Sequence, residues 1–106
     1  MEETFSDRVV RAAHAIPKGR VTTYGRIARA AGGGARASQS ITGILSKAAT
    51  RGVSGIPFHR IVYAHGRVWI NERHRKERMK LYRKEGIEVS AGGVVKNFNE
   101  VVFDFK

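Results

Sequence analysis

The sequence predicts a mostly helical α+β domain, a winged helix-turn-helix. Three observations carry that reading. Two short amphipathic segments flank Gly32-Gly33-Gly34, outlining helix, glycine turn, helix. Two apolar, β-branched segments, residues 60–64 and 67–70, are separated by His65-Gly66, as in a small hairpin wing. The 106 residues suffice for one core, so residues 1–106 are read as a single domain.

Ser6 is placed to cap a first helix over residues 7–15. Val9, Val10, Ala13 and Ile16 give its apolar stripe, and Asp7 suits the positive helix end. Pro17-Lys18-Gly19 ends it. Thr22 or Thr23 caps a second helix over residues 24–31, with Ile27, Ala28 and Ala31 inward and Arg26 and Arg29 outward. The triple glycine stops that helix. Ser38 or Ser40 opens a third helix to Ala49, with Ile41, Ile44, Leu45 and Ala48 at helical spacing. Gly43 on it permits close approach of another backbone. Residues 50–56 are a loop, followed by the hairpin. Residues 72–84 read as a charged helix with Met79 and Tyr82 as its main apolar contacts and Gly86 as its stop. Residues 87–89 and 93–105 form an irregular or short-strand tail anchored by Val94, Val95, Phe98, Val101, Val102, Phe103 and Phe105.

Charge indicates the partner. The net charge is +11, and between Arg8 and Asn71 there are eleven bases and no acid. Such a stretch cannot neutralise itself through acids of its own, and its field concentrates a polyanion, so a nucleic acid is the expected ligand. A composition of 42% hydrophobic and 27% charged residues is that of a globular chain rather than a disordered one. No apolar run approaches the roughly 20 residues of a membrane span, so no membrane partner is expected. The acidic, polar start of the chain argues against a secretory signal. The expected location is the cytoplasm, in association with the nucleoid, and the expected state is a monomer.

Few residues suggest catalysis. There is no cysteine, which excludes disulfides, thiolate metal sites and a cysteine nucleophile. His14, His59, His65 and His74 are scattered, with no metal-ligand spacing, so neither a metal nor another cofactor is expected. The triple glycine lacks the Gly-Lys-Ser/Thr ending of a nucleotide P-loop. Its backbone N–H groups, and those opening the third helix, can either hold a DNA phosphate or simply form a helix C-cap and turn. Pro57-Phe58-His59-Arg60-Ile61-Val62 stands out because it sets an aromatic ring between proline and histidine in a basic loop. Its plainer reading is a core plug.

Three segments together resemble the DNA-binding domain of O6-alkylguanine-DNA alkyltransferases: residues 16–28 (Ile-Pro-Lys-Gly-Arg-Val-Thr-Thr-Tyr-Gly-Arg-Ile-Ala), residues 57–62, and residues 85–89 (Glu-Gly-Ile-Glu-Val). The resemblance spans about residues 5–90. In those enzymes the Pro-x-His-Arg motif carries cysteine at x, and its thiolate accepts the alkyl group. Phe58 stands at x here, and a hydrocarbon side chain cannot act as nucleophile. The chain therefore resembles the alkyltransferase-like proteins, which bind O6-alkylguanine without repairing it and direct the lesion to nucleotide excision repair.

That resemblance implies roles residue by residue. Tyr24 matches the tyrosine that helps rotate the lesion nucleotide out of the stack. His59 and Glu85 match the pair that deprotonates the thiol through water, and without a thiol they shape the loop. Pro57, Phe58, His59, Ile61, Trp69 and Asn71 fall where the family lines its guanine pocket. Ser38, Gln39, Ser40 and Lys47, on the third helix, complete the DNA-binding face. The family's arginine finger, which fills the gap left by the flipped base, has no arginine in register: Arg36 is the choice because a guanidinium can stack and hydrogen-bond in a duplex gap, and Gln39 is the rival. The expected function is non-enzymatic recognition of O6-alkylguanine in duplex DNA, with a nucleotide excision repair damage-recognition factor as protein partner. The alternatives are a plain winged-helix DNA-binding regulator and a small RNA-binding protein.

Overall fold

A computed structural model describes residues 3–34, 36–69 and 72–105. The first helix, α1 (Phe5–His14), starts in a reciprocal capping box: Thr4 Oγ1 accepts from the Asp7 N–H at 3.1 Å and the Asp7 carboxylate accepts from the Thr4 N–H at 3.1 Å. Thr4 rather than Ser6 is thus the cap, because Asp7 reaches back only from the third helical position. The hydrogen bonds from Thr4 hold the Asp7 carboxyl below its ordinary pKa.

Strand β1 (Thr22–Thr23) runs directly into α2 (Tyr24–Ala30), and Thr23 Oγ1 caps that helix by accepting from the Arg26 N–H at 3.2 Å. The two glycines that end α2 serve different needs. Gly32 takes a φ of +87° and donates to the Arg29 carbonyl, while the Gly33 N–H reaches the Ala28 carbonyl at 2.8 Å, the two bonds of a Schellman stop. A Cβ on Gly33 would stand 2.5 Å from the Ala37 Cβ and 2.9 Å from Phe5. A 3-10 turn (Ala37–Ser40) then leads into α3 (Ile41–Thr50), so the third helix begins without a side-chain cap from either Ser38 or Ser40. Gly43 faces open space on α3, and no backbone approaches it among the described residues.

Among the described residues the expected hairpin wing is not formed, and between its two segments only the Tyr63 N–H donates, to the Arg67 carbonyl at 2.8 Å. Strand β2 (Ile61–Val62) pairs in parallel with β1, Thr22 opposite Ile61 and Thr23 opposite Val62. Residues 64–66 form a 3-10 turn in which His65 and Gly66 both have positive φ, and this swings the chain onto the tail. There the Val68 N–H donates to the Gly93 carbonyl at 2.9 Å and the Val95 N–H to the Gly66 carbonyl at 2.9 Å. Ile70, the last residue of the expected second strand, lies outside the described residues. The charged helix α4 (Arg75–Lys84) starts three residues later than its pattern predicts and stops at Gly86. The tail contains a short helix, α5 (Phe98–Val101), where only irregular or strand structure was expected. Beyond it the chain lies alongside residue 21: the Val21 N–H donates to the Val101 carbonyl at 3.0 Å and the Phe103 N–H to the Val21 carbonyl at 2.6 Å.

Two adjoining cores result. Val9, Ala12, Ala13 and Ile16 pack on Ile27, Ala28, Ala31, Ile41, Leu45 and Ile61, so the three predicted helical stripes meet, with Val10 and Ile44 only partly buried at the edge. Val21, Val62, Val68, Tyr82, Ile87 and Val95 form the second, whereas Val94, an expected anchor, is 40% exposed. The β1–β2 pair joins the two, because Ile61 points into one core and Val62 into the other. Each fully buried aliphatic side chain contributes about 1.5–3 kcal/mol.

Candidate nucleic-acid interface

Glu85 is the C-cap residue of α4, and its side chain is only 4% exposed. Its Oε2 lies 2.7 Å from His59 Nε2, and Arg60 donates to both carboxylate oxygens, from Nε to Oε1 at 3.0 Å and from Nη2 to Oε2 at 2.8 Å. The Gly19 N–H adds a bond at 3.2 Å, and Arg60 Nη1 also donates to the Ile16 carbonyl at 3.0 Å. Burial alone would raise the Glu85 pKa. The hydrogen bonds from Arg60, His59 and Gly19 outweigh it and hold the carboxyl at about 2. A buried carboxylate this fully partnered ties three places in the chain together: the turn after α1, the Phe58–Arg60 turn and the end of α4.

That tie sets Phe58 at a cleft. Pro57 is buried, and Phe58 is half-buried, packing on the first core beside Ile56. The plain core role of Phe58 is therefore real, and its ring also lines a cleft of about 370 Å³ with Ile56, His59, Trp69, His74, Glu77, Arg78 and Leu81. Trp69 is 41% exposed, with the Arg78 guanidinium 5.6 Å from its ring centroid. Beneath lies Tyr82, 1% exposed, its ring edge toward His59 at 6.0 Å. The Tyr82 hydroxyl makes no hydrogen bond of good geometry among the described residues, and burial pushes it up to about 12 against the pull of Arg78. The cleft is apolar and aromatic-walled with a few polar groups, the chemistry of a pocket for a planar ring system.

Tyr24 opens a second cleft of about 750 Å³, lined also by Arg26, Arg29, Ser38, Gln39, Thr42, Tyr63 and His65. Its ring centroid is 5.4 Å from that of Tyr63, and Thr42 lines the cleft beside it. Burial raises its pKa, so the phenol stays neutral. Ser38 and Gln39 are thereby brought to Tyr24. Arg36, the expected finger, is exposed and lines neither cleft. Ser40 and Lys47 flank a separate groove with Phe5, Gly43 and Ile44. Ile61 is 2% exposed and belongs to the core, because the parallel pairing of β2 turns it inward, away from the pocket. Asn71 lies outside the described residues. Sequence reasoning missed Thr42, Tyr63 and Arg78. Arg78 shares a helical face with His74 and Leu81, a spacing that signals a common surface.

The basic stretch is partly satisfied from within, by carbonyls as well as acids. Arg8 Nε donates to the Ala31 carbonyl at 2.7 Å, closing the end of α2, and Arg20 donates to the carbonyls of Val101 and Val102. Arg11 pairs with Glu3 at 2.7 Å and Arg26 with Asp104 at 2.6 Å. Lys18, Arg29, Arg36, Lys47 and Arg67 have no acid partner among the described residues and carry the outward field.

Residues 4–87 match the family model described as 6-O-methylguanine DNA methyltransferase, DNA binding domain. The chain is 36% identical over 94 residues to the DNA base-flipping protein of Escherichia coli, covering 89% of this chain and 70% of that one. It is 33% identical over 95 residues to the DNA base-flipping protein of Vibrio parahaemolyticus, covering 88% and 90% respectively. Its fold superposes on a crystal structure of S. pombe Atl1 in complex with damaged DNA containing O6-carboxymethylguanine, with TM-score 0.70, 25% identity and coverage of 98% and 99%. A second structure, of S. pombe ATL in complex with DNA, gives TM-score 0.67 at 24% identity, over 98% and 99% of the two chains. The protein belongs to the 6-O-methylguanine DNA methyltransferase DNA-binding-domain family as an alkyltransferase-like member, with Phe58 between Pro57 and His59 where the family's enzymes carry cysteine.

Proposed function

We propose that this protein recognises O6-alkylated guanine in duplex DNA, rotates the base out of the stack and holds it without alkyl transfer. One observation carries the proposal: the His59–Glu85 pair stands at 2.7 Å and sets the acceptor position at an aromatic cleft, yet Phe58 occupies that position. An aromatic cleft beside an acceptor position that holds no nucleophile supports binding without transfer. The names of the bacterial relatives and the damaged-DNA complex of Atl1 support the same reading.

Each side chain then has a physical task. Tyr24, rigid and neutral, presses on the lesion phosphate and stabilises the rotated nucleotide. Phe58 and Trp69 offer ring faces for the extruded base, a stacking contact of about 1–3 kcal/mol. Gln39, exposed on the wall of the Tyr24 cleft, fills the vacated stack, because it shares that cleft with Tyr24 and Arg36 does not. An inert binder promotes repair only by presenting the lesion to another machine. The proposed partner is therefore a nucleotide excision repair damage-recognition factor, in bacteria the damage-recognition ATPase, acting at the cytoplasmic nucleoid on a complex of one protein monomer with DNA.

The test uses O6-methylguanine duplex labelled in the methyl carbon, with undamaged duplex and structured RNA as competitors. The expected result is preferential retention of the lesion duplex, with the label left on DNA, and retention of the damage-recognition ATPase only when lesion and protein are both present. Label transferred to the protein contradicts the non-enzymatic reading. Equal binding of both duplexes favours a plain DNA-binding regulator, and preference for RNA favours an RNA-binding role.

A further inference from the structure

Arg26 is a cation on the wall of the Tyr24 cleft whose charge is already held in the free protein. Its Nε donates to Asp104 Oδ1 at 2.6 Å, its Nη1 donates to Thr23 Oγ1 at 3.3 Å, and its guanidinium lies 5.9 Å from the centroid of the Phe98 ring. Arg29, one turn further along α2, lines the same cleft with no acid partner among the described residues. Among the described residues, then, Arg26 meets an acid at this cleft and Arg29 does not.

Asp104 reaches Arg26 because the tail is strapped across β1. Arg20 grips the carbonyls of Val101 and Val102, Thr22 Oγ1 donates to the Phe103 carbonyl at 2.9 Å, and the Phe103 N–H donates to the Val21 carbonyl at 2.6 Å. This strap lies beyond residues 4–87, the part of the chain that matches the family model. The pair itself is open to water, with side-chain exposures of 27% for Arg26 and 50% for Asp104. An ion pair in that setting is weak, and a phosphate is an equally good bidentate partner for a guanidinium.

We infer that Arg26 is a further contact to the DNA phosphate backbone and that Asp104 is its built-in competitor, releasing Arg26 when a duplex enters the Tyr24 cleft. The inference rests on the DNA reading above. A carboxylate that must be displaced lowers affinity for every duplex by the same factor, since a phosphate contact carries no base information. It also removes about one unit from the salt dependence: the phosphate that Arg26 engages sheds its cation, and the freed Asp104 carboxylate takes one from solution in its place.

The test is equilibrium binding of the full chain to undamaged and O6-methylguanine duplexes across a salt series, for the parent, Asp104→Asn, Arg26→Gln and the double variant. Glu100→Gln, exposed in the same tail, controls for the general loss of a negative charge. Asp104→Asn is expected to tighten both duplexes equally, by about 3–10-fold more than Glu100→Gln does, and to steepen the log K against log [salt] slope by about 0.9. In the Arg26→Gln background the same change is expected to have no effect beyond that of Glu100→Gln. Melting temperatures of all variants are measured alongside. The inference is overturned by Asp104→Asn binding no tighter than Glu100→Gln, by weaker binding at unchanged melting temperature, or by a gain that persists without Arg26. Failure of the parent to bind any duplex would overturn the DNA reading and this inference with it, whereas binding by the parent with a silent Asp104→Asn overturns the inference alone.

Discussion

Glu85 Oε2 lies 2.7 Å from His59 Nε2 while Arg60 engages the same carboxylate, so one side chain at the end of α4 fixes the turn that presents Phe58. The Glu85 pKa falls from 4.5 to about 2 on folding. A depressed carboxylate stabilises the fold fully above its unfolded pKa and loses that contribution as pH drops through the folded one. Stability is therefore expected to fall between about pH 5 and 2, by about 2 kcal/mol once solvent screening is allowed for. Glu85→Gln should be less stable than the parent at pH 7 and should flatten this acid limb, as thermal melts in a pH series will show. Parallel acid limbs in the two proteins would mean that other carboxylates control acid unfolding.

Phe58→Cys restores the acceptor motif beside an intact His59–Glu85 pair, yet efficient alkyl transfer is not expected. The reaction needs a thiolate of depressed pKa and a short, aligned attack distance, and a misplacement of about 1 Å can cost 100-fold. Phe58 packs on the first core with Ile56, and cysteine in its place leaves that packing unfilled. Single-turnover transfer from O6-methylguanine DNA is the measurement, and rates like those of the family's enzymes would refute this argument.

Gly33→Ala should destabilise the fold by about 1–3 kcal/mol, because a Cβ there meets Ala37 at 2.5 Å and Phe5 at 2.9 Å. Gly34→Ala, with nothing within 4 Å, should change stability by about 0.5 kcal/mol or less. Denaturant midpoints compare the two directly, and equal effects would contradict the close approach of α1 to the turn after α2.

Gln39→Ala should weaken lesion binding more than undamaged-duplex binding, by about 1–3 kcal/mol for the lesion complex. Arg36→Ala should act as the loss of an outlying cation, equally on both duplexes. Fluorescence anisotropy on the paired duplexes separates them. A silent Gln39→Ala beside a lesion-selective Arg36→Ala would return the finger to Arg36.

Local chemistry was legible in the sequence. Thr23 before Tyr24, the glycine stops and the inward stripes of the first three helices are set by neighbours within a few residues. The Glu85 partnership with His59 was legible only through the family resemblance, since 26 residues separate the two. What stayed hidden is non-local. The parallel pairing of Thr22–Thr23 with Ile61–Val62, which buries Ile61 and replaces the hairpin, depends on contacts that no window of sequence contains. The same holds for Arg8, Arg20 and Arg60, which look like surface charge in the sequence and cap carbonyls 23, 81 and 44 residues away in the fold. The tail shows no periodicity because its order comes from the strap across β1.

The most direct test of base flipping is a fluorescent base analogue set beside the lesion in paired duplexes that differ only in one O6-methyl group. The parent protein should brighten the reporter in the lesion duplex and leave it quenched in the undamaged one. Tyr24→Ala, folded by its melting curve, should lose both the brightening and most of the preference, about 1–3 kcal/mol. A reporter that stays quenched while Tyr24→Ala binds the lesion as well as the parent would contradict base flipping.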